Sequence, residues 1–257
     1  MKTEKIIKLL EKKFPVEHAE EWDNVGLLVG DHKKEIKKIQ FSLDITEKVL
    51  KNAIKNKVDM IITHHPVIFR AIKSVTSYSV LGKNLMLAIK NDINIYCMHT
   101  NLDSTIGGLN DFVLSKLGAS NIKILTDDTN EFGIGRYFDL EKEASINEYV
   151  KLLKKKLGIK NLRFIGYDIN KKIKRIGIIN GSAMSFWKKA KNFGVDLFIT
   201  GDVSYHDALD AREAKLNVID FGHYESEHFF YELILNELNG NDLEFLIYND
   251  EPVFNFI

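Results

Sequence analysis

The sequence predicts an α/β fold of two similar three-layer halves produced by internal duplication. Short apolar segments alternate with amphipathic helical ones along most of the 257 residues. This is the pattern of a parallel sheet covered on both faces. Two segments recur at a fixed distance. IKKIQFSLD at Ile36–Asp44 is matched by IKRIGIING at Ile173–Gly181, and VDMIITHHP at Val58–Pro66 by VDLFITGDV at Val195–Val203; Ile36 to Ile173 and Val58 to Val195 are the same 137-residue step. A third pair follows in the same order, INIYCMHTNLD at Ile93–Asp103 and NVIDFGHYESE at Asn217–Glu227. One pair of look-alike strands carries little weight, but three ordered pairs argue for duplication.

The elements follow from local pattern. The opening MKTEKIIKLLEKKF is an amphipathic helix with charges throughout. Ile39–Leu43 reads as a strand and Thr46–Asn56 as a helix whose apolar face is Val49, Leu50, Ala53 and Ile54. Met60–Thr63 is a short buried strand, Leu81–Lys90 a helix, Ile93–Met98 a strand, and Leu109–Leu117 a helix stopped by Gly118. The stretch Asn121–Asn170 has a different grammar. It offers an apolar, glycine-containing segment at Phe132–Phe138, a helix at Ile146–Leu157 and a strand at Leu162–Ile165, read as a β-α-β extension of the second half. The expected division is 1–120 and 121–257. With three prolines and no Pro/Ser-rich linker, the halves are expected to pack tightly.

Lys plus Arg and Asp plus Glu are 36 each, so the net charge gives no global footprint for nucleic acid or an anionic membrane. The single cysteine, Cys97, excludes an intrachain disulfide and removes thiolates from any metal site; between Tyr96 and Met98 it reads as a buried strand thiol. No run of about 18 apolar residues exists, and the amino terminus lacks the apolar core of a signal peptide. A cytoplasmic address is expected.

In open parallel sheets, ligands bind beyond the carboxyl ends of the strands. His64 and His65 follow the strand Met60–Thr63, with Pro66 holding His65 extended. His99 ends the strand Ile93–Met98, with Asp103 four residues on; His223 follows the strand Val218–Phe221, with Glu227 four residues on. Two matching positions of the duplicated pattern thus present His-x3-carboxylate, a spacing that puts both side chains on one face of a helical turn. Five or six such donors exceed one tetrahedral ion and suit two divalent ions between the halves, with imidazole and carboxylate favouring Zn, Fe, Mn, Co or Ni. His18, His32, His206 and His228 lack this support and read as surface residues.

Six ordered motifs carry a resemblance: EEWDNVGLLVGD (Glu20–Asp31), SLDIT (Ser42–Thr46), ITHHP (Ile62–Pro66), HTNLD (His99–Asp103), ITGD (Ile199–Asp202) and GHYESE (Gly222–Glu227). Together they resemble the GTP cyclohydrolase I type 2-like family, also called the NGG-interacting-factor-3-like family, in its short form without an inserted domain. The resemblance implies a duplicated α/β fold, a dinuclear site between the halves and a ring-shaped homohexamer. Carried over, the metal ligands are His64, His65, Asp103, His223 and Glu227, with His99 a ligand or its neighbour. Where family members often have a glycine-rich turn, this chain reads NGSAMS with only Gly181. The family name implies hydrolytic opening of the guanine imidazole ring of GTP with release of formate. A small-molecule substrate, a nucleotide or related heterocycle, is therefore expected. Asp44 and Asp202, at strand ends, are the candidates for a carboxylate that shuttles a proton, with Glu225 a further one. The motif EEWDNVGLLVG is expected to turn and line the site. No triphosphate-cradling loop is present, and Gly107–Gly108 read as a helix start. The alternative expectation is a metal-binding regulator or partner-binding module without turnover.

Overall fold

The computed structural model describes residues 1–125, 131–249 and 251–255. Its contacts divide the chain into two compact units, Met1–Leu102 with Phe229–Glu251, and Asp103–His228 with Pro252–Ile257. In chain order the elements are α1 (Thr3–Lys13), β1 (Gly26–Val29), β2 (Lys38–Ser42), α2 (Glu47–Lys55), β3 (Met60–Thr63), α3 (Val80–Lys90), β4 (Asn94–Cys97) and α4 (Thr100–Ser104). There follow α5 (Leu109–Lys116), β5 (Lys123–Ile124), β6 (Arg136–Ser145), α6 (Ile146–Leu157), β7 (Arg163–Ile165), β8 (Lys172–Ser182), α7 (Trp187–Asn192), β9 (Leu197–Gly201) and α8 (Tyr205–Glu213). The chain ends with β10 (Asn217–Asp220), α9 (His223–Glu227), α10 (Phe230–Leu238) and β11 (Glu244–Ile247).

The fold is α/β, with one sheet in each unit. The strand orders are β1-β4-β3-β2-β11 and β5-β6-β8-β9-β10-β7. The duplication is visible in both. In the first sheet β2, β3 and β4 run parallel and β1 lies antiparallel beside β4. In the second, β8, β9 and β10 run parallel and β7 lies antiparallel beside β10. The central strands are buried at every residue, as MIIT in β3, NIYC in β4 and LFITG in β9. Continuous burial of both faces is why they appear in sequence as apolar runs rather than alternations. Cys97 is one of these buried residues.

Helix α2 begins where the Thr46 hydroxyl accepts from the Val49 amide, and it lays Val49, Leu50 and Ala53 onto a core with Ile61, Leu85, Ala88 and Ile95. The end of the chain returns to the first unit. There β11 pairs parallel to β2, Glu244 to Lys38 through Ile247 to Phe41. The preceding α10 sets the Phe230 ring 5.9 Å from His64 and 6.5 Å from Phe41. Among the described residues, no helix is long and apolar enough to cross a membrane.

Helix α6 occupies the predicted span and shows why. Ser145 and Glu148 form a capping box, and Gly158 closes the helix with φ 72°. Backbone and hydroxyl bonds from Ser145 and the Lys172 ammonium hold the Glu148 carboxyl at about 2, below its ordinary 4.5. Replacing Ser145 with alanine is expected to lower stability by about 1 kcal/mol, measured by urea unfolding at neutral pH. A depressed carboxylate stabilises above its ordinary pKa and ceases to as pH falls through the folded one. The difference between the two proteins should therefore shrink as pH drops from 4.5 towards about 2.

Candidate metal centre

In the first unit, the ends of β2, β3 and β4 bring Asp44, His64, His65 and His99 to the same edge. Every imidazole is fixed through Nδ1. That of His64 donates to the Met98 carbonyl at 2.8 Å, that of His65 to Asp44 Oδ1 at 2.9 Å, and that of His99 to Asp23 Oδ1 and Oδ2 at 2.9 and 3.0 Å. A proton on Nδ1 leaves Nε2 as the lone-pair nitrogen, the arrangement by which oxygen acceptors orient metal-binding histidines. One ring nitrogen from each of His64, His65 and His99 lies within 4.8 Å of the other two. The structure thus gathers His99 with the adjacent pair.

Asp23 also accepts from the amide and hydroxyl of Thr100. Burial pushes its carboxyl up, yet the bonds from His99 and Thr100 outweigh this and hold it at about 2. Sequence reading missed this role. Asp23 and His99 are 76 residues apart, and the motif EEWDN shows a carboxylate without showing its partner. The turn containing it does reach the histidines: the Trp22 ring stands edge-on to His99 at 6.1 Å. Asn24 is spent on the backbone, its amide donating to the Ile68 carbonyl at 2.6 Å.

The second unit repeats the scheme at the ends of β8, β9 and β10. His223 and Glu227 sit at the two ends of the five-residue α9, and Nε2 of the one lies 2.9 Å from Oε2 of the other. Its Nδ1 donates to Asp202 Oδ2 at 2.7 Å. Burial pulls the imidazole pKa down, but the two carboxylates win and push it up to about 11. Asp202 is lowered in return, chiefly by the His223 hydrogen bond. Asp44 after β2 and Asp202 after β9 thus do the same work from different strand ends, each accepting from a histidine Nδ1. Glu225 folds back over Gly222, where a Cβ would stand 2.1 Å from its Oε2.

Gly181 explains the NGSAMS turn. Its φ is +64°, and a Cβ there would lie 2.2 Å from Glu227 Oε1 and 3.6 Å from His223 Nε2. The turn is held by the Gly181 amide donating to Ser226 Oγ at 3.0 Å and by Thr200 Oγ1 donating to the Gly181 carbonyl at 3.0 Å. The glycine therefore makes room for a carboxylate.

Asp103 is buried in α4, one helical turn after His99, and is not among the gathered donors. Its backbone is firmly held: Asn110 Nδ2 donates to its carbonyl at 3.1 Å, and the Arg136 guanidinium donates to the carbonyls of Ser104 and Thr105 at 3.2 and 2.8 Å.

These donors fit a divalent ion. Two ligand atoms on a tetrahedral ion with bonds of about 2.0–2.1 Å are separated by roughly 3.3 Å, close to the 2.9 Å between His223 Nε2 and Glu227 Oε2. Imidazole nitrogens and carboxylate oxygens, without thiolates, are the ligands of first-row divalent metals.

Fold and donors together define a class: duplicated α/β proteins with histidines and carboxylates at the carboxyl ends of matching parallel strands. The chain belongs to the Duf34/NIF3 (NGG1p interacting factor 3) family, whose model matches residues 1–252. It is 43% identical to the GTP cyclohydrolase 1 type 2 homolog of Clostridium perfringens, with 100% of both chains covered. It is 38% identical to the protein of the same name from Lactococcus lactis, over 95% of this chain and 94% of that one. Among solved structures, a Staphylococcus aureus hypothetical protein, SA1388, superposes with a TM-score of 0.91 at 30% identity, covering 100% of this chain and 99% of the other. Reduced HcgD from Methanocaldococcus jannaschii gives 0.85 at 33% identity, covering 96% and 97%.

Proposed function

We propose that the protein holds two divalent metal ions, of Zn, Fe, Mn, Co or Ni, on His64, His65, Asp103, His223 and Glu227, with His99 as a sixth donor, and uses them as a hydrolase of a nucleotide or related heterocycle. The observation that carries this reading is the shared treatment of four histidines. His64, His65, His99 and His223 all have Nδ1 engaged by an oxygen acceptor, carboxylate in three cases. An oxygen acceptor on Nδ1 sets each ring so that Nε2 is the nitrogen turned to a ligand position; in His223 that nitrogen faces Glu227 Oε2 at 2.9 Å. Divalent ions in such a site supply Lewis acidity and lower the pKa of water towards neutrality.

The chain's own groups then divide the work. Asp23, Asp44 and Asp202 orient His99, His65 and His223, a role different from the proton shuttle suggested by the strand-end position of the last two carboxylates. Glu227 adds negative charge beside the His223 imidazole. The name of the relatives, GTP cyclohydrolase 1 type 2 homolog, supports a nucleotide as the substrate class. The same reading takes the protein as a cytoplasmic homo-oligomer, a hexameric ring by resemblance to the family, without a membrane partner and with nucleic acid disfavoured by the zero net charge.

Elemental analysis tests it, on wild type beside His64→Ala and Glu227→Ala. The expected result is about two ions per chain in wild type and loss in both variants. Wild type that arrives metal-free and cannot be reloaded would overturn the metal reading. Two ions without consumption of GTP or related nucleotides would overturn the hydrolase reading and leave a metal-binding module.

A further inference from the structure

Beside the three histidines of the first unit stand two aromatic rings that no part of the metal site requires. Trp22 and Phe69 are 57% and 48% exposed, unusual for such large apolar groups. Their centroids are 5.8 Å apart with planes at 60°, and both meet His99 edge-on, at 6.1 and 6.5 Å. They come from separate loops that are tied together. Asn24, two residues after Trp22, donates to the carbonyl of Ile68, one residue before Phe69. Asp23, between Trp22 and Asn24, grips Nδ1 of the same His99. One short stretch of chain therefore turns a carboxylate inward to a donor histidine and a large ring outward next to it.

From this arrangement we infer that Trp22 and Phe69 form the stacking wall for a planar, anionic heteroaromatic ligand held at the metal donors, the ring system of a nucleotide. The inference rests on the metal-site reading and adds to it the groups that select the substrate. Three features favour this occupant over an apolar protein segment. The two rings lie at 60° to each other, so a planar heterocycle can stack on the face of one and meet the edge of the other. Both rings touch His99 edge-on, so the aromatic pair adjoins the histidine cluster directly. The loop carrying Phe69, VIFRAIKSVTSYS from Val67 to Ser79, contains Arg70 and Lys73 and no acidic residue, so its charge suits a phosphate rather than an aliphatic side chain.

The chain has two tryptophans, Trp22 and Trp187, so Trp187→Phe leaves Trp22 as the only indole reporter. That variant, metal-loaded and separately chelated, would be titrated with guanosine 5′-monophosphate and with ribose 5-phosphate while its fluorescence is followed. Saturable quenching by the nucleotide and none by the sugar phosphate is expected in both preparations, because the rings hold their place through protein contacts alone. Adding Phe69→Ala should weaken nucleotide binding about tenfold while the metal content is unchanged. Absence of quenching in protein that carries its ions would overturn the inference and leave the metal site standing. Failure of the chelated protein to take metal back up, with quenching by the nucleotide unchanged, would overturn the metal reading and leave the stacking wall standing. Trp22 shielded from acrylamide in the native protein would mean that a second copy covers the rings, and would also overturn the inference.

Discussion

Gly181→Ala is expected to strip metal from the donors of the second unit while leaving the chain folded. An alanine Cβ would fall 2.2 Å from Glu227 Oε1, closer than any real contact, so the carboxylate must swing away from His223. The backbone contributes little to the loss. A left-handed conformation costs an L-residue about 1–2 kcal/mol, well inside a typical stability of about 5–15 kcal/mol. Displacing even the outer partners of metal ligands weakens binding by about 10–100-fold. Displacing Glu227 itself should cost at least about a hundredfold, seen as metal lost on dialysis. Gly158→Ala is the matched comparison. Its φ is +72° and its Cβ would meet nothing within 4 Å, so it carries the same backbone strain and should keep its metal. Equal metal content in the two variants would sink the argument.

Most of the fold was legible because its elements announce themselves locally. Met60–Thr63 and Ile146–Leu157 have the predicted bounds to the residue. An all-apolar strand and a helix between Ser145 and Gly158 each carry their own start and stop. The three ordered repeats, two at one step and the third at a shorter one, likewise foretold that β2-β3-β4 and β8-β9-β10 would share an order. Other elements were invisible for a stated reason. The return of β11 to pair with β2 joins Glu244 to Lys38, a contact that no local periodicity encodes. The ten-residue β6 is mostly exposed through its polar DLEKEA portion, so it lacks an apolar signature. At the candidate site, the gathering of His64, His65 and His99 could be read because strand ends are where ligands collect. Their partners could not. Asp23 is a carboxylate in a loop until the fold brings His99 to it, and Gly181 looks like the remnant of a glycine-rich turn until Glu227 is seen lying where its Cβ would be.

Under the proposed reading, metal uptake by the second unit should strengthen steeply with pH, because His223 carries a proton where a ligand needs a lone pair. His223 lies between Asp202 and Glu227 with its pKa pushed up to about 11 from an ordinary 6.5. A raised folded-state pKa means that the proton stabilises the metal-free fold fully below about 6.5, and that this contribution fades as pH climbs through about 11. A metal ligand must be neutral imidazole, so binding expels that proton. Throughout the interval the apparent affinity should rise by about tenfold per pH unit for the one proton displaced. Asp202→Asn isolates the effect. Asparagine tolerates the φ of +52° at this position, keeps an acceptor for Nδ1, and removes one of the two charges that hold the proton. Calorimetry in buffers of differing ionisation enthalpy, from pH 6 to 9, should then show fewer protons released per ion in the variant at the alkaline end. The variant's metal-free form should also lose the excess stability that wild type keeps between about 6.5 and 11. Identical proton release in the two proteins would mean that His223 does not carry the displaced proton, and the pairing with Asp202 would then have to be explained by orientation of the ring alone.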